Sequence, residues 1–318
     1  MKKIYLLLSL FIVIFTSCET DFDVNANWEE VTVVYGPLDD GEGQEEQQIK
    51  ISKGFLGEMD ALAMAQYADS INFDEGELAV KVIRIQNNGF TDTIHLDEVL
   101  TVRDSGIFNE STMMYTFINN NFLNSDSEYE LLIKNNITDN EVTSRTNIIS
   151  NFNFKNLNSN FQFGFYNNGD YTSVDISWEK GYGAIYQLDL VINYTENSEI
   201  KELVFSQDLV DDLESNISIE GERFFNFLSE EITKDNSKER YFNSIDLVMT
   251  VGSEDLDTYI NVNRPISGIV QERPKFTNIN NGIGLFSSRY TKIRYGFPLT
   301  SPSIEFLKST DGLDRNFK

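Results

Sequence analysis

The stretch TSVDISWEKGYGAIYQLDLVINYTE (Thr172–Glu196) decides the fold class of this chain. In its first half apolar and polar residues alternate, which places Val174, Ile176 and Trp178 on one face. After a glycine-containing loop, four further apolar residues recur at the same spacing: Tyr186, Leu188, Leu190 and Ile192. Successive side chains of a strand point to opposite faces, so a period of two predicts two strands, each with one buried face.

This pattern resembles the B and C strands of fibronectin type III and immunoglobulin-like β-sandwiches, in which a tryptophan is buried between alternating strands. The resemblance implies such a sandwich here, with Trp178 in its core. Further along, Ile245–Ser253 and Asp257–Asn263 are predicted as strands. Two segments with apolar residues at helical spacing, Leu203–Leu213 and Arg223–Ile232, are predicted as helical insertions.

The first half of the chain is also predicted to be β-rich, because it contains three pairs of alternating segments joined by turn-forming residues. Asn-Gly at positions 88–89 tolerates the positive φ of a tight turn between two of these segments. One apolar pattern at helical spacing, residues 55–71, predicts a single helix between strands. The three predicted hairpins join Val31–Gly36 to Gln47–Ser52, Glu77–Gln86 to Thr91–Leu100, and Tyr129–Asn135 to Glu141–Ile149.

The asparagine-rich segment NFNFKNLNSN, residues 151–160, lacks a long periodic run and is predicted as a linker. It divides the chain into an N-terminal β-sandwich, residues 28–150, and a C-terminal β-rich domain, residues 161–318. A chain of this length has room for two domains. The predicted fold is therefore mainly β, with two immunoglobulin or fibronectin-III-like sandwiches and short helical insertions.

The N-terminal stretch MKKIYLLLSLFIVIFTSC, residues 1–18, has the order of features found in a secretory signal peptide. Two lysines precede a run that is apolar apart from Ser9, and two small residues follow it. The apolar run is shorter than the ~20 residues that a membrane-spanning helix needs. Residues 1–17 are therefore predicted to be a signal peptide that is removed on export.

Cys18, the one cysteine of the chain, follows these small residues directly. This arrangement resembles the bacterial lipobox, although Phe15 stands where leucine is usual. The resemblance implies that the Cys18 sulfur receives a diacylglyceryl group and that the chain is cut just before it. The alternative is a secreted protein with an ordinary thiol, but secreted chains usually carry no cysteine or an even number of them.

Residues 18–27 are polar and acidic and are predicted to be a tether. Acidic residues directly after the lipidated cysteine resemble the signal that directs Bacteroidota lipoproteins to the outer face of the outer membrane, and Glu19, Asp21 and Asp23 fit it loosely. An ordinary acidic linker in an acidic protein is the alternative. The expected location is the outer membrane, with the lipid as the attachment.

Net charge excludes one class of partner. The chain has 51 acidic residues against 25 lysines and arginines, a net charge of −26. Removal of residues 1–17 takes away two of those bases and no acid, so the net charge becomes −28. A surface this acidic repels phosphate backbones, which argues against nucleic acid as a partner.

The segment ERPKFTNINNGIGLFSSRYTKI, residues 272–293, resembles one near the C-terminus of Bacteroidota lipoproteins of unknown function. An N-I-x-N-G-x-G-x-F run recurs there, and the domain begins with a strand like VVYG. The resemblance implies a location and possible partners, because some relatives are encoded beside TonB-dependent outer-membrane transporters. It implies no chemistry. The matching residues are Asn278, Ile279, Asn281, Gly282, Gly284 and Phe286.

We consider Gly282, Gly284, Phe286 and Arg289 candidate binding residues, since they combine flexibility, an aromatic ring and a positive charge in an acidic chain. The alternative is that Asn278–Arg289 is a structural closing strand. Two further triplets, around Ser70 and Thr93, match the Asp-Ser/Thr-apolar pattern that Bacteroidota O-glycosylate in exported proteins. Patterns this short also occur by chance.

Catalytic and metal chemistry have little support in the sequence. His95, the one histidine, alternates with apolar neighbours and is predicted to be an exposed strand residue. Carboxylate doublets such as Asp39-Asp40, Asp211-Asp212 and Glu230-Glu231 do not by themselves place two acids face to face. The acidic stretch at residues 39–46 suits a solvated turn better than a Ca²⁺ loop, since it lacks the spacing of an EF-hand.

The sequence therefore predicts a binding or accessory lipoprotein that is not an enzyme and has no metal and no cofactor, with a transporter or another envelope protein as a possible partner. Two alternatives stay open. One is a structural or adhesive component of cell-surface machinery, and the other is a glycan hydrolase that works through two carboxyl groups.

Overall fold

The structure is a computed structural model, and it describes residues 30–55, 71–102, 111–211, 214–264 and 275–318. Over these ranges the chain is mainly β, with several sheets and three short helices. This confirms the predicted fold class as a β-rich, sandwich-like architecture. No helix in these ranges has the length and apolar character needed to cross a membrane.

One large sheet runs through both halves of the chain. Its neighbouring strands are antiparallel except for one parallel pair, which joins the first described strand to the last. In spatial order the strands are β13 (Glu199–Ser206), β12 (Ile185–Glu196), β16 (Arg240–Gly252), β17 (Ile283–Phe297), β1 (Glu30–Asp39), β2 (Glu46–Phe55), β6 (Ser111–Ile118) and β5 (Asp97–Val102). A short strand, β14 (Val210–Asp211), also pairs with β12.

A second, four-stranded sheet covers the N-terminal part of the large one. In spatial order it contains β4 (Thr91–His95), β3 (Leu78–Gln86), β7 (Ser127–Asn135) and β8 (Glu141–Asn147). Buried side chains from both sheets meet in one core, for example Ile49 and Tyr115 from the large sheet and Val82 and Leu131 from the small one. This is the layered packing of a sandwich.

The three predicted N-terminal hairpins are confirmed as β1–β2, β3–β4 and β7–β8. The predicted strand Thr91–Leu100 is divided in two, and its halves belong to different sheets. The division falls at Leu96, whose side chain is buried and whose N–H donates to the carbonyl of Val80 at 3.0 Å. The chain crosses there from one layer of the sandwich to the other.

The C-terminal core lies against the other end of the large sheet. The remaining elements are β9 (Tyr166–Asn167), β10 (Asp170–Tyr171), β11 (Ser173–Ser177), β15 (Asn216–Glu220), α1 (Gly221–Glu231), α2 (Glu254–Asn263) and α3 (Ser301–Lys308). Alternation in β11 and β12 is as predicted, and Trp178 is completely buried. Aromatic rings fill much of this core; those of Phe165 and Phe224 stack at 4.2 Å.

Of the two predicted helical insertions, one is correct. Residues 223–232 lie in α1 and its C-cap, with Phe224, Phe225 and Leu228 buried on one stripe. The prediction of a helix over 203–213 is wrong, because residues 199–206 form β13 and residues 210–211 form β14. A tight turn at Asn197 and Ser198, both with positive φ, folds β13 back onto β12, and pairing with that strand outweighs local helical spacing.

The predicted strand Asp257–Asn263 is also wrong, since these residues belong to α2. The Ser253 side chain caps the helix by accepting a hydrogen bond from the Leu256 N–H. Three acidic residues in the first turn interact favourably with the positive end of the helix dipole. These capping signals, rather than the β-branched residues, decide the local structure.

The predicted linker at 151–160 contributes to the C-terminal core. Phe152 is completely buried, and Phe154 forms a β-bridge with Trp178. The two cores divide close to this point, although Phe286, from far along the chain, belongs to the N-terminal one. Separate folding of residues 28–150 and 161–318 stays a prediction.

Several predictions lie outside the described residues. They are the signal peptide at 1–17, the lipidation of Cys18, the tether at 18–27, the glycosylation of Ser70 and residues 56–70 of the predicted helix.

Candidate functional site

The segment Asn278–Arg289 leads into the interior of the large sheet. Most of the segment belongs to β17, which runs between β16 and β1, as the alternative of a structural closing strand implies. Parallel pairing with β1 sets Gly284 beside Val34 and Arg289 beside Asp39. The position of each candidate residue is therefore fixed by sheet register.

The two glycines allow β17 to approach β1 closely. Gly284 has φ +115°, and a Cβ placed on it would lie 1.9 Å from the carbonyl oxygen of Val34. A Cβ on Gly282 would lie 2.8 Å from the carbonyl oxygen of Thr32. Gly284 meets both requirements that glycine alone satisfies, a positive φ and close backbone contact.

The asparagines and Phe286 tie the same segment to the N-terminal sandwich. The Asn278 side chain donates to the carbonyl of Phe286 at 2.7 Å and accepts from its N–H at 3.0 Å. Asn281, at φ +57°, donates to the carbonyl of Glu141 at 3.0 Å. Ile279 and Phe286 are buried in the N-terminal core. We call Asn278–Phe286 the clasp, because its residues join β17 to β1 and β8.

Arg289 lies beyond the clasp and on the other face of the sheet from Phe286, since strand residues alternate between faces. Its Nε donates to Asp39 Oδ2 at 2.9 Å. Thr291 donates to the same carboxylate from its hydroxyl at 2.7 Å and from its N–H at 3.0 Å, and the Gly41 N–H donates at 2.9 Å. Four donors therefore hold Asp39, which in turn anchors Arg289.

A cavity of about 510 Å³ opens beside this pair. We call it the outer groove; its lining includes Tyr35, Gln48, Lys50, Thr112, Met114 and Arg289. The side chain of Arg289 is 40% exposed, and Tyr35 is 44% exposed. The groove thus combines two cationic side chains, two carboxylates (Asp39 and Glu46), an amide, a hydroxyl and an accessible aromatic ring.

A cavity of about 500 Å³ lies at the clasp, between the two sheets of the sandwich. Gly282 and Asn281 contribute to its lining, together with Asn135, Asn140 and Glu141. Asn135 is fully engaged in local structure, since its side chain donates to Glu77 and accepts from two backbone N–H groups. The segment Asn278–Arg289 therefore contributes one candidate residue to each cavity, Gly282 at the clasp and Arg289 at the outer groove.

Lys292, three residues beyond Arg289, is a buried cation that the sequence did not single out. Its amine donates to Asn151 Oδ1 at 2.7 Å and to the carbonyl of Phe152. Burial lowers the pKa of Lys292, and the nearby Arg294 lowers it further. Lys292 fixes the start of the predicted linker to β17.

The other candidate residues lie apart from this strand. Thr93 and His95 are exposed on β4, an edge strand of the four-stranded sheet, and the exposure of His95 is as predicted. Glu230 and Glu231 are exposed neighbours on α1, and adjacent helical residues do not face each other. In Asp39-Asp40, burial raises the pKa of Asp40, although a hydrogen bond from Asn119 lowers it.

The acidic stretch at residues 39–46 forms a turn that is held by hydrogen bonds within the stretch. Gly41 donates to Asp39, and Gln44 donates to the carbonyl of Gly41 at 3.3 Å. Across the described ranges, no group of three or more histidine, cysteine, aspartate or glutamate side chains is arranged to hold a metal ion.

The chain matches no family model and no curated protein.

Sequence reasoning found Arg289 but missed Asp39 as its partner. The two are 250 positions apart, and only the parallel register of β1 and β17 brings them together. Tyr35 and Lys50 were missed for the same reason, since each is one outward-facing residue on an ordinary strand. No local signal marks any of the three.

Proposed function

We propose that this protein is a lipid-anchored, non-enzymatic binding or accessory protein of a bacterial outer membrane, and that it holds its ligand in the outer groove. The match of residues 1–18 to a lipoprotein signal supports the anchor at Cys18. The clasp motif resembles that of Bacteroidota lipoproteins. This resemblance supports attachment to the outer membrane and a transporter or other envelope protein as the partner. The alternating strands around Trp178 support an immunoglobulin or fibronectin-III-like sandwich.

The proposed binding site rests mainly on the hydrogen bonding of the Arg289 guanidinium. Asp39 binds its Nε, whereas the two terminal nitrogens form no hydrogen bond to any part of the chain that the structure describes. A guanidinium fork of this kind is suited to a carboxylate, which it can bind through two parallel hydrogen bonds. Since Asp39 fixes the orientation, little side-chain entropy is lost on binding.

The rest of the outer groove favours a sugar that carries a carboxylate. Lys50 adds a second cation, and Gln48 and Thr112 supply an amide and a hydroxyl that suit sugar hydroxyl groups. The exposed ring of Tyr35 gives an amphipathic surface for the carbon face of a sugar ring. Asp39 and Glu46 also line the groove, so an anionic ligand is favoured by the fork of Arg289 and not by a net positive charge.

Titration calorimetry of the full chain with D-glucuronate, and with D-glucose as the uncharged probe, tests the site. We expect D-glucuronate to bind and D-glucose to bind far more weakly. Arg289→Gln should abolish binding, and Arg289→Lys should weaken it about tenfold, because lysine keeps the charge and loses the fork. Lys308→Gln, which removes an exposed cation on α3, is the matched control and should bind normally.

Equal binding of both sugars, or unchanged binding by Arg289→Gln, would contradict the proposed site. The anchor is tested separately, through metabolic labelling with an alkyne fatty acid in the native host. Cys18→Ser should lose the label and move from the membrane fraction to the soluble one. A mutant that keeps both label and fractionation would refute lipidation at this residue.

A further inference from the structure

The large sheet ends at β13, and this edge has a surface distinct from the outer groove. Within the ranges that the structure describes, no strand pairs with β13 on the side away from β12. The eight residues of β13 pair with β12 in an uninterrupted register, with no bulge. Edges of this kind are usually blunted by prolines, bulges or covering segments, since their free backbone groups pair readily with another strand.

The hairpin turn determines which backbone groups of β13 point outward. Glu196 pairs with Glu199 across Asn197 and Ser198, whose φ values of 47° and 72° are those of a two-residue type I′ turn. The closing pair of such a hairpin is hydrogen-bonded, and bonding alternates from there along the ladder. The residues whose N–H and C=O point away from β12 are therefore Ile200, Glu202, Val204 and Ser206.

Two apolar side chains stand on this edge. Ile200 is 74% exposed and Val204 is 54% exposed, and both share a face of the sheet with Glu202. The sequence of that face is thus apolar, acidic, apolar. A strand added here would meet these three side chains directly opposite its own.

The other side of the edge is an acidic groove. A cavity of about 650 Å³ between β13 and α1 is lined in part by Phe205, Phe227 and the carboxylates of Glu220, Glu222 and Glu230. Arg223 also lines it, and its guanidinium lies 3.6 Å from Asp208. The two phenylalanine rings stack at 4.8 Å. None of these three glutamates, nor Glu202, takes part in an ion pair with the described residues. Carboxylates therefore outnumber cations around these free backbone groups and apolar side chains.

We propose that the free edge of β13 binds an extended, basic and apolar segment of a partner protein, which adds to the large sheet as an antiparallel strand. The backbone groups give affinity, and the side chains give register. The partner strand has apolar residues opposite Ile200 and Val204, and lysine or arginine opposite Glu202. Its residues on the other face lie over the acidic groove.

Charge argues against a second copy of this chain as the occupant. Antiparallel self-pairing that sets Ile200 opposite Val204 also sets Glu202 opposite the same residue of the other copy. Like charges directly opposite each other destabilise a strand pair. A basic partner strand converts the same position into an attraction.

Fluorescence anisotropy with a labelled, terminally blocked peptide KVTKTVK tests the proposal on the full chain. Its valines and central lysine match the face of β13, and EVTETVE is the control peptide. We expect saturable binding of the first peptide alone. Glu202→Lys should weaken it about tenfold, since an attraction becomes a repulsion. Glu75→Lys, an exposed residue in a distant turn, makes the same change in net charge and should bind normally.

A proline substitution tests the contribution of backbone pairing to peptide binding. Glu202→Pro removes an outward N–H and leaves pairing with β12 in place, so the variant should fold normally and bind the peptide about tenfold more weakly. Hydrogen exchange should show protection of the Ile200, Glu202 and Val204 amides on peptide binding. Absence of binding, equal loss in Glu75→Lys, or protection elsewhere would overturn the proposal. Self-association that Glu202→Pro abolishes would also overturn it, because the occupant would then be a second copy.

Discussion

The clasp and Arg289 lie on one continuous segment, yet they differ in what they contact. Gly284 has the carbonyl of Val34 so close that no side chain fits, and Phe286 is completely buried. Arg289 is half-exposed at a groove on the opposite face. A dense glycine and asparagine motif can therefore mark a place where two backbones approach closely. The residue available to a ligand is Arg289, which Asp39 holds in place and which is still accessible.

The largest effect should come from adding one methyl group inside the clasp. Gly284→Ala places a Cβ 1.9 Å from the Val34 carbonyl at a φ that alanine avoids, so we expect a loss of more than about 4 kcal/mol or failure to fold. Gly296→Ala is the matched control on the same strand, because its φ is also positive, +81°, but no atom lies within 4 Å. It should cost about 1 kcal/mol in urea unfolding. Similar losses in both would show that close approach is unimportant.

Large-to-small substitutions compare the two cores. Phe286→Ala in the N-terminal core and Trp178→Ala in the C-terminal core should each cost ~3–5 kcal/mol, since both side chains are completely buried. If residues 28–150 and 161–318 unfold separately, calorimetry will show two transitions and each variant will lower a different one. A single transition that both variants lower would contradict that division. Melting like the wild type would refute the placement of either residue in a core.

The ion pair of Glu196 with the buried Arg240 can be compared with the accessible pair of Asp39 and Arg289 at the outer groove. Glu196 accepts from Lys238 at 2.9 Å and from Arg240 at 2.8 Å, and Arg240 is completely buried. Glu196→Ala leaves that guanidinium without its carboxylate, so we expect a loss of about 3 kcal/mol at neutral pH. The measurement is the urea midpoint.

The same pair predicts a pH dependence. The hydrogen bond from Lys238, with that from Arg240, holds the pKa of Glu196 below its ordinary value of 4.5 despite partial burial. The stabilisation is therefore complete above the unfolded pKa and is lost as pH falls through the folded one. The gap between wild type and Glu196→Ala should narrow as pH falls below the ordinary value of 4.5. A gap that is constant with pH would mean that the lost stability is not electrostatic.

The sequence predicted the parts of the fold that depend on local pattern. Alternation located β11 and β12, and turn residues located the three N-terminal hairpins. The errors arose where another interaction outweighed that pattern. Pairing with β12 made residues 203–206 a strand, and the cap at Ser253 made residues 257–263 a helix.

The candidate site was less predictable, because its partners are remote in sequence. Residues 278–289 were identified as unusual, but neither glycine spacing nor composition shows which of them face a core. That distinction depends on the parallel pairing of β1 with β17, a contact across almost the whole chain. Asp39, which orients Arg289, belongs to an acidic turn with no distinguishing pattern of its own.

The most direct test of the division along β17 pairs Asn278→Ala with Arg289→Gln and measures thermal stability and D-glucuronate binding on both. Asn278→Ala leaves the backbone groups of Phe286 without partners and should cost ~1–3 kcal/mol, with the ligand still bound by the folded protein. Arg289→Gln should cost about 1 kcal/mol or less, because three other donors still hold Asp39, and should abolish binding. Undiminished binding by Arg289→Gln, or loss of binding in folded Asn278→Ala, would contradict the account.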